Sequence, residues 1–438
     1  MLPGLLVKLR PSTPWRIGPA SGARDRVDSI FHSDTLYSAV THAMRLLGRL
    51  EYWLEITART TPAQVRFSSM FPFHGDTLYV TPPKHIWPPP PSVRVHYAGA
   101  RFVPMPLIES MFAGKPLEDD RWTVDGASQT LVPGTRPGPF RVSIRSSAAV
   151  DRLSGATEPH ASACLEFIPK AGLWFAVQFA DSIARDQWID AVRSAIRLLA
   201  DSGFGGERSR GWGRAHKPEF RDGALPHLVY QGASGGETMQ WLLSLAVPAE
   251  SDSVSWDRGS YSTSVRGGRI ESPAASGAAK KLLTMIEEGS VLAADTLEGS
   301  APNVAPDGLP HAAYHAGFAF SIAVPAEVPK QLETIAEAEP AALEAEEEIQ
   351  TELPAANEEA AELDYAVAEI ADEPEQFEIG GAIGPEDLPE QQEKEPEDND
   401  VPVEEPKDTV PSPPEEEPDQ NPPGPNPDEP EEPEGPIE

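Results

Sequence analysis

The chain has 438 residues, enough for two or three domains, and a formal net charge of −35. The charge lies at one end, because residues 331–438 contain 38 acidic and 2 basic residues, whereas residues 1–330 contain 32 acidic and 33 basic ones. The single cysteine, Cys164, excludes an internal disulfide and a multi-thiolate metal cluster, and no apolar run approaches the ~18 residues of a membrane-spanning helix. We therefore expect a cytoplasmic protein without membrane contact.

The chain starts with a pattern typical of a β-strand and continues into an amphipathic helix. Leu5, Val7 and Leu9 alternate with polar or neutral residues, which predicts a strand. In FHSDTLYSAVTHAMRLLGRL, Ser33 is a suitable helix N-cap, and Asp34 suits the positive end of the helix dipole. The apolar face of this predicted helix consists of Leu36, Val40, Met44 and Leu47.

The middle of the first domain contains many prolines, which exclude a long helix or a central strand. We expect short strands and a projecting β-hairpin at about residues 82–145. The segments SACLEFI and LWFAVQFA then predict a hairpin over Ser162–Ala180, and a second amphipathic helix should end at Gly203. With a strand from WGRAHKPEFRD, the order is β-α-β-β-α-β, which is the ferredoxin-like order.

A second unit follows a short linker. MQWLLSLAVP and HAGFAFSIAVP predict strands, and AAKKLLTMIEEGSVL predicts a helix or a turn. The predicted fold class is therefore α+β, with ferredoxin-like domains at residues 1–224 and 225–330. Residues 331–438, rich in proline and glutamate, predict a disordered acidic tail that binds a basic partner, excludes stray nucleic acid, or only improves solubility.

The segment DSGFGGERSRGWGR, residues 201–214, forms a glycine loop between the second predicted helix and the following strand. It is not a dinucleotide fingerprint, because it follows a helix and has Arg208 where the third glycine should stand. It is not a phosphate loop either, because Trp212 and Gly213 replace the required Lys and Ser/Thr. Two interpretations remain: an RNA-binding loop, in which Arg208 and Arg210 donate to phosphates and Trp212 offers a stacking face, or an ordinary turn with solvated arginines.

Five segments, in this order, resemble the RAMP subunit of type III-A CRISPR effector complexes known as Csm subunit 4. They are IFHSDTLYSAV, FSSMFPFHGDTLYVTPP, FGGERSRGWGR, AAKKLLTMIEEGSVL and YHAGFAFSI, and the resemblance spans residues 5–325. It implies a non-catalytic subunit that grips the 5′ repeat-derived tag of the guide RNA (crRNA). It also implies contacts with the large polymerase-like subunit and an adjacent backbone RAMP subunit, and two ferredoxin-like (RRM-like) domains with a projecting hairpin.

The candidate RNA-binding residues come from three segments. The start of the first helix contributes His32 and Ser33, and the predicted hairpin contributes Lys84 and Arg101 in a segment that also contains Arg94 and His96. We assign no catalytic residue, no metal and no small-molecule cofactor. The glycine loop contributes Gly203, Gly205, Gly206, Arg208, Ser209, Arg210, Gly211, Trp212, Gly213 and Arg214.

Two other functions remain open at this point. The first is a guide-RNA-processing endoribonuclease with a histidine as general base, for which the candidates are His32, His74, His85, His96, His160 and His216. The second is a protein-only assembly scaffold whose arginines meet acidic partners. We expect no enzyme, because no trio of base, acid and phosphate-binding group can be assembled from the sequence, and N-capping suffices to explain Asp34.

Overall fold

The structure, a computed structural model, describes residues 1–19, 21–89, 97–115, 117–232, 237–270, 272 and 274–327. The predicted acidic tail lies outside the described residues, as do Arg94 and His96. Within the described ranges, no helix has the length and apolar character needed to cross a membrane.

Helices and antiparallel strands are both present, which confirms the α+β class. The helices are α1 (Ser33–Leu46), α2 (Leu50–Ile56), α3 (Met105–Phe112) and α4 (Ser182–Ser202). The strands up to α4 are β1 (Leu2–Leu9), β2 (Val65–Phe67), β3 (Phe71–His74), β4 (Thr77–Val80), β5 (Val103–Pro104), β6 (Trp122–Asp125), β7 (Thr130–Pro133), β8 (Phe140–Val150), β9 (Thr157–Phe167) and β10 (Ala171–Phe179). The later strands are β11 (Glu219–Leu225), β12 (Thr238–Leu242), β13 (Ser255–Ser260), β14 (Thr263–Arg266), β15 (Leu283–Ile286), β16 (Val291–Ala293), β17 (Gly299–Ser300), β18 (Gly317–Phe318) and β19 (Ser321–Pro325).

The main sheet has seven strands in the order β11-β1-β10-β3-β4-β5, and β2 also pairs with β10. Strand β10 is the centre of this sheet, and all nine of its residues are buried, as its nearly continuous apolar sequence AGLWFAVQF requires. It pairs with β1 on one side, where Leu5 faces Val177, and with β2 and β3 on the other. Strand β1 thus lies between the strands that precede and follow α4.

Two predictions about hairpins need correction. Strands β9 and β10 do not pair with each other, because β9 pairs along all eleven residues with β8, while β10 enters the main sheet. The long exposed hairpin is therefore β8–β9, Phe140–Phe167, and it lies mostly after the range 82–145. The described part of that range holds α3, the predicted short strands and only a small hairpin, β6–β7, because its prolines interrupt longer pairing.

Four of the strands after residue 237 form a second sheet in the order β13-β16-β12-β19, while β14 pairs with β15 and β17 pairs with β18 in two small separate sheets. Of the two alternatives predicted for AAKKLLTMIEEGSVL, the helix is wrong, because the segment contains strands β15 and β16, and a turn is present only at residues 288–289 between them. The two sheets share one hydrophobic core, in which Trp241, Phe318 and Ile322 join the buried residues of the main sheet.

Helices α1 and α4 pack together on the main sheet, and their aromatic residues extend the core toward the second sheet. The ring of Tyr37 in α1 stacks on Trp53 with centroids 5.8 Å apart and meets Phe318 edge-on at 5.3 Å. Trp53 also contacts Trp188 of α4 at 5.7 Å. The amphipathic patterns of both helices are confirmed, except that Leu47 follows α1 and is partly exposed.

Candidate nucleic-acid interface

The glycine loop begins where α4 ends. Asp181 caps the start of α4 by accepting a hydrogen bond from the Ala184 amide at 2.7 Å, and Gly203, with a φ of 100°, caps its end, as predicted. The next residue, Phe204, is buried and stacks on Trp15 with centroids 5.1 Å apart. Phe204 therefore anchors the loop to the hydrophobic core, and the arginines of the loop follow it in the chain.

Three glycines of the loop are required by contacts within the protein itself. A Cβ atom at Gly203 would lie 2.5 Å from the Trp212 carbonyl oxygen, one at Gly205 2.3 Å from the Arg16 carbonyl oxygen, and one at Gly213 2.0 Å from the Phe204 carbonyl oxygen. All three also have positive φ angles, which side chains rarely adopt. At these three positions the missing side chain therefore lets the loop pack closely against the protein's own backbone.

Replacing Gly213 with alanine should therefore destabilise the protein far more than replacing Gly211. Both have φ near 80°, but a Cβ at Gly211 would meet no atom within 4 Å. Backbone strain alone costs about 1–2 kcal/mol at either position, and Gly213 adds a clash with backbone atoms that cannot move independently. Chemical unfolding of the two variants measures the difference, and equal decreases in stability would contradict a packing role for Gly213.

The loop arginines differ in their surroundings. Arg208 begins a short 3₁₀ helix, Arg208–Arg210, and its side chain is exposed with no hydrogen bond or ion pair to any described residue. Arg210 instead donates to His160 Nε2 at 2.8 Å and to Ser147 Oγ at 3.3 Å, which face each other across the β8–β9 hairpin. Its Nε lies 3.3 Å from a Glu207 carboxylate oxygen. Arg210 thus fastens the loop to the hairpin, whereas Arg208 is available to a ligand.

A buried arginine joins the glycine loop to a second basic segment. Arg16 is 7% exposed, and its guanidinium donates to the carbonyl oxygens of Ala23 and Arg24 at 2.8 Å each and to Ala163 of the hairpin at 3.1 Å. Its own carbonyl accepts from the Gly206 amide at 2.9 Å. Four arginines in the segments that Arg16 holds together are exposed, and their side chains have no described partner. We call these four residues the basic face: Arg24, Arg26, Arg208 and Arg214.

The remaining loop residues have structural surroundings of different kinds. Trp212 is half-buried, and its amide bonds to the Glu207 carbonyl at 3.3 Å. Gly206 passes the Arg16 side chain, which would lie 3.3 Å from an added Cβ, and Ser209 is exposed. Arg214 is tied down by its backbone, with its amide bonded to Thr13 Oγ1 at 3.0 Å and its carbonyl to Trp15 Nε1 at 3.0 Å, so its side chain extends from a rigid base.

His32 and Ser33 lie at the junction of the two sheets. The N-cap of α1 is His32, not Ser33 as predicted, because the Ser33 hydroxyl accepts from the Leu245 amide at 3.0 Å instead. His32 Nε2 donates to Asp28 at 3.1 Å, and Nδ1 donates to the buried Glu288 at 2.7 Å. Burial alone would lower the pKa of His32, but the charge of Glu288 and the hydrogen bonds to both carboxylates raise it to about 10. His32 is therefore a buried cation that joins the N-terminal part to the C-terminal one.

Asp34 has a partner that the sequence did not suggest. Its carboxylate accepts two bonds of 3.0 Å from the Arg266 guanidinium and one of 2.9 Å from His315 Nε2. Burial alone would raise the pKa of Asp34, but the His315 hydrogen bond and the Arg266 charge outweigh it and lower the pKa well below its usual range. N-capping is thus insufficient as an explanation, and Asp34 is one half of a buried ion pair.

Lys84 and Arg101 also have internal partners. Lys84 donates to Ser262 Oγ and lies 3.8 Å from the Glu287 carboxylate. Arg101 donates to Asp28 at 3.0 Å and to Ser29 Oγ at 2.8 Å. The structure therefore groups Arg101 with His32, because both bind Asp28. Their roles in RNA binding stay predictions.

The C-terminal part of the chain matches a known domain family. Residues 236–324 match the family model described as the CRISPR Csm4 C-terminal domain. The match confirms, for this domain, the resemblance to Csm subunit 4 seen in the sequence. No curated protein gives a significant match to the sequence.

Solved structures with a similar fold include complexes of Csm4. A chain from the crystal structure of the Csm3-Csm4 subcomplex in the type III-A CRISPR-Cas interference complex has a TM-score of 0.50 and 16% identity, with 73% of this chain and 99% of that chain covered. A chain from the Csm1-Csm4 cassette in complex with cA4 has a TM-score of 0.45 and 18% identity, with coverages of 75% and 99%. At these identities the likeness concerns the fold alone.

Proposed function

We propose that this chain is the non-catalytic RNA-binding subunit of a type III-A CRISPR (Csm) effector complex. It grips the 5′ repeat-derived tag of the crRNA through its basic face and docks the large polymerase-like subunit and an adjacent backbone RAMP subunit. We further propose that the parts of the chain bearing the seven-stranded and the four-stranded sheet are two ferredoxin-like domains, although the described residues from 237 onward contain no helix. The Csm4 domain match supports the family role, and the pairing of Csm3 with Csm4 in the similar structure supports the backbone neighbour.

The main support for RNA binding is that some arginines near the glycine loop have partners within the protein and others do not. The fold leaves Arg24, Arg26, Arg208 and Arg214 exposed without described partners, while it engages Arg16 and Arg210 in fixing the segments that bear them. Exposed guanidiniums on rigid backbone are well suited to phosphate oxygens, because binding then costs little conformational entropy. An RNA backbone that crosses the glycine loop would meet several of them.

The chemistry of His32 supports a non-catalytic role. A general base must be unprotonated near neutral pH, but His32, with a pKa of about 10, carries a proton there and is clamped between two carboxylates. His160 Nε2 already accepts from Arg210 and Ser147. Neither histidine is therefore poised to abstract a proton from an RNA 2′-hydroxyl.

Replacing Arg208 and Arg214 together with alanine should weaken binding to a guide RNA that carries the 5′ tag and flatten its salt dependence. Each arginine that no longer neutralises a phosphate of a single strand lowers the slope of log affinity against log salt by about 0.7, so the double variant should have a slope smaller by about 1.4. The measurement is a salt titration of RNA binding by the full chain, or by the assembled complex if binding to the chain alone is weak.

Arg45→Ala is a matched control, because Arg45 is exposed, has no described partner and lies at the opposite end of α1 from the loop. An unchanged slope in the double variant would overturn the proposed interface. Cleaved repeat RNA in the reaction would favour the processing nuclease, and a chain that binds no RNA in any assembly would favour the protein-only scaffold.

A further inference from the structure

A cavity of about 380 Å³ opens beside the first turns of α1, and none of its lining residues belongs to the glycine loop or the basic face. One wall comes from α1 and the following segment, and the other comes from residues 266–269, Lys280 and residues 312–316. Its volume lies within the range of small-molecule sites, about 300–1,000 Å³.

The cavity has more positive than negative charge. Among the residues that line it, Arg266, Arg269 and Lys280 are cationic, and Asp34 is the one carboxylate. Asp34 already has its bidentate partner in Arg266, with both distances at 3.0 Å. Arg269 uses one nitrogen on the Gly277 carbonyl at 2.8 Å. The cavity therefore has two positive charges that no lining carboxylate neutralises.

Lys280 is the least satisfied of these cations. Its ammonium makes no hydrogen bond or ion pair with any residue that the structure describes. Burial lowers its pKa, and the negative charge of Asp34 opposes this only in part. A partly buried ammonium without a partner has lost some of its hydration, so an anion bound in the cavity would offset that loss.

The other lining groups suit a phosphate attached to a ring. Thr35 and Ser38 provide hydroxyl groups, and Tyr37 and Tyr314 provide aromatic faces. Residues 267 and 268 are glycines that leave the wall near Lys280 without side chains, and the nearest atom to a Cβ added at residue 268 would be Lys280 Cδ at 3.7 Å. Arginine, lysine and hydroxyl donors around one space match the several acceptor oxygens of a phosphate better than the two of a carboxylate.

We propose that this cavity is a second anion site, which binds the phosphate group of a nucleotide, with Lys280 and Arg269 as its principal ligands. The phosphate belongs either to a free nucleotide or to an end of an RNA strand, and both present the same oxygens. The proposal does not depend on the basic face, because the two sites share no residue.

The test uses the full-length chain with three probes: inorganic phosphate, AMP, and a short single-stranded RNA with or without a 5′-phosphate. Calorimetry and thermal unfolding should show binding of at least one probe to the wild-type chain. Lys280→Ala should weaken this binding about tenfold or more, because it removes a charge-assisted hydrogen bond from a partly buried site. AMP binding favours a free nucleotide, and binding only of the 5′-phosphorylated RNA favours a strand end.

Lys281→Ala is the matched control, since the neighbouring Lys281 is exposed, pairs with Asp307 at 2.8 Å and does not line the cavity. It should bind the probes as the wild type does. The proposal is overturned if no probe binds at millimolar concentration, or if Lys280→Ala and Lys281→Ala bind equally well. The double variant Arg208→Ala/Arg214→Ala should leave AMP and phosphate binding unchanged. The proposal for the cavity and the proposal for the basic face can therefore be overturned independently of each other.

Discussion

Replacing Asp34 with alanine should lower the free energy of unfolding by about 3–5 kcal/mol, the range found when one partner of a buried ion pair is removed. The variant leaves the largely buried Arg266 guanidinium, 14% exposed, without its carboxylate and removes the acceptor of His315 Nε2. Both partners come from the C-terminal part, so the substitution should also loosen the junction between the two sheets. Denaturant titration of the full chain measures the effect.

Two further variants make this result specific. Asp307→Ala removes an exposed carboxylate that pairs with Lys281, and it should leave the free energy of unfolding nearly unchanged because solvent screens such a surface pair. In Asp34→Ala/Arg266→Met an apolar side chain replaces the orphaned charge, and part of the lost stability should return. If Asp34→Ala is as mild as Asp307→Ala, the buried ion pair does not hold the two parts together.

Stability should fall as the pH rises from about 6.5 to about 10, and His32 should account for a large share of the fall. The folded-state pKa of His32 is raised to about 10, whereas the unfolded value is 6.5. The stabilisation from its two carboxylate partners is therefore complete below about pH 6.5 and is lost as the pH rises through the folded pKa. In that pH range the folded chain binds one proton that the unfolded chain does not. The free energy of unfolding therefore decreases by about 1.4 kcal/mol per pH unit.

The His32→Gln variant isolates this contribution from other groups that titrate in the same range. Its unfolding free energy should be measured at several pH values between about 6.5 and about 9.5. The slope of this free energy against pH should be shallower than that of the wild type, by the amount that corresponds to about one bound proton. His311→Gln is the control, because His311 is exposed and pairs with Ser272 at the surface, and its curve should follow the wild type. Parallel curves for the wild type and His32→Gln would show that His32 is not held as a cation.

Features with a local physical cause were predictable from the sequence. The periodic apolar positions of α1 and α4, the glycine that ends α4 and the strand character of β1, β10, β12 and β19 depend on residues close together in the chain. The spacing of the glycine loop excluded nucleotide fingerprints, and the ordered segments indicated the Csm4 family. These conclusions needed no knowledge of which elements meet.

Long-range pairing decided the rest. Strand β9 joined β8 and left β10 to the main sheet, and AAKKLLTMIEEGSVL became strands because β14 and β12 offer it backbone partners, which override helix propensity. His32 meets Glu288 across 256 positions, and Asp34 meets Arg266 across 232, so no local pattern could reveal either pair. The same folding turned Arg210 toward the hairpin and left Arg208 exposed. A side chain's role as ligand or as structural partner depends on the charges and carbonyls that the fold brings within hydrogen-bonding distance, and sequence spacing does not contain that information.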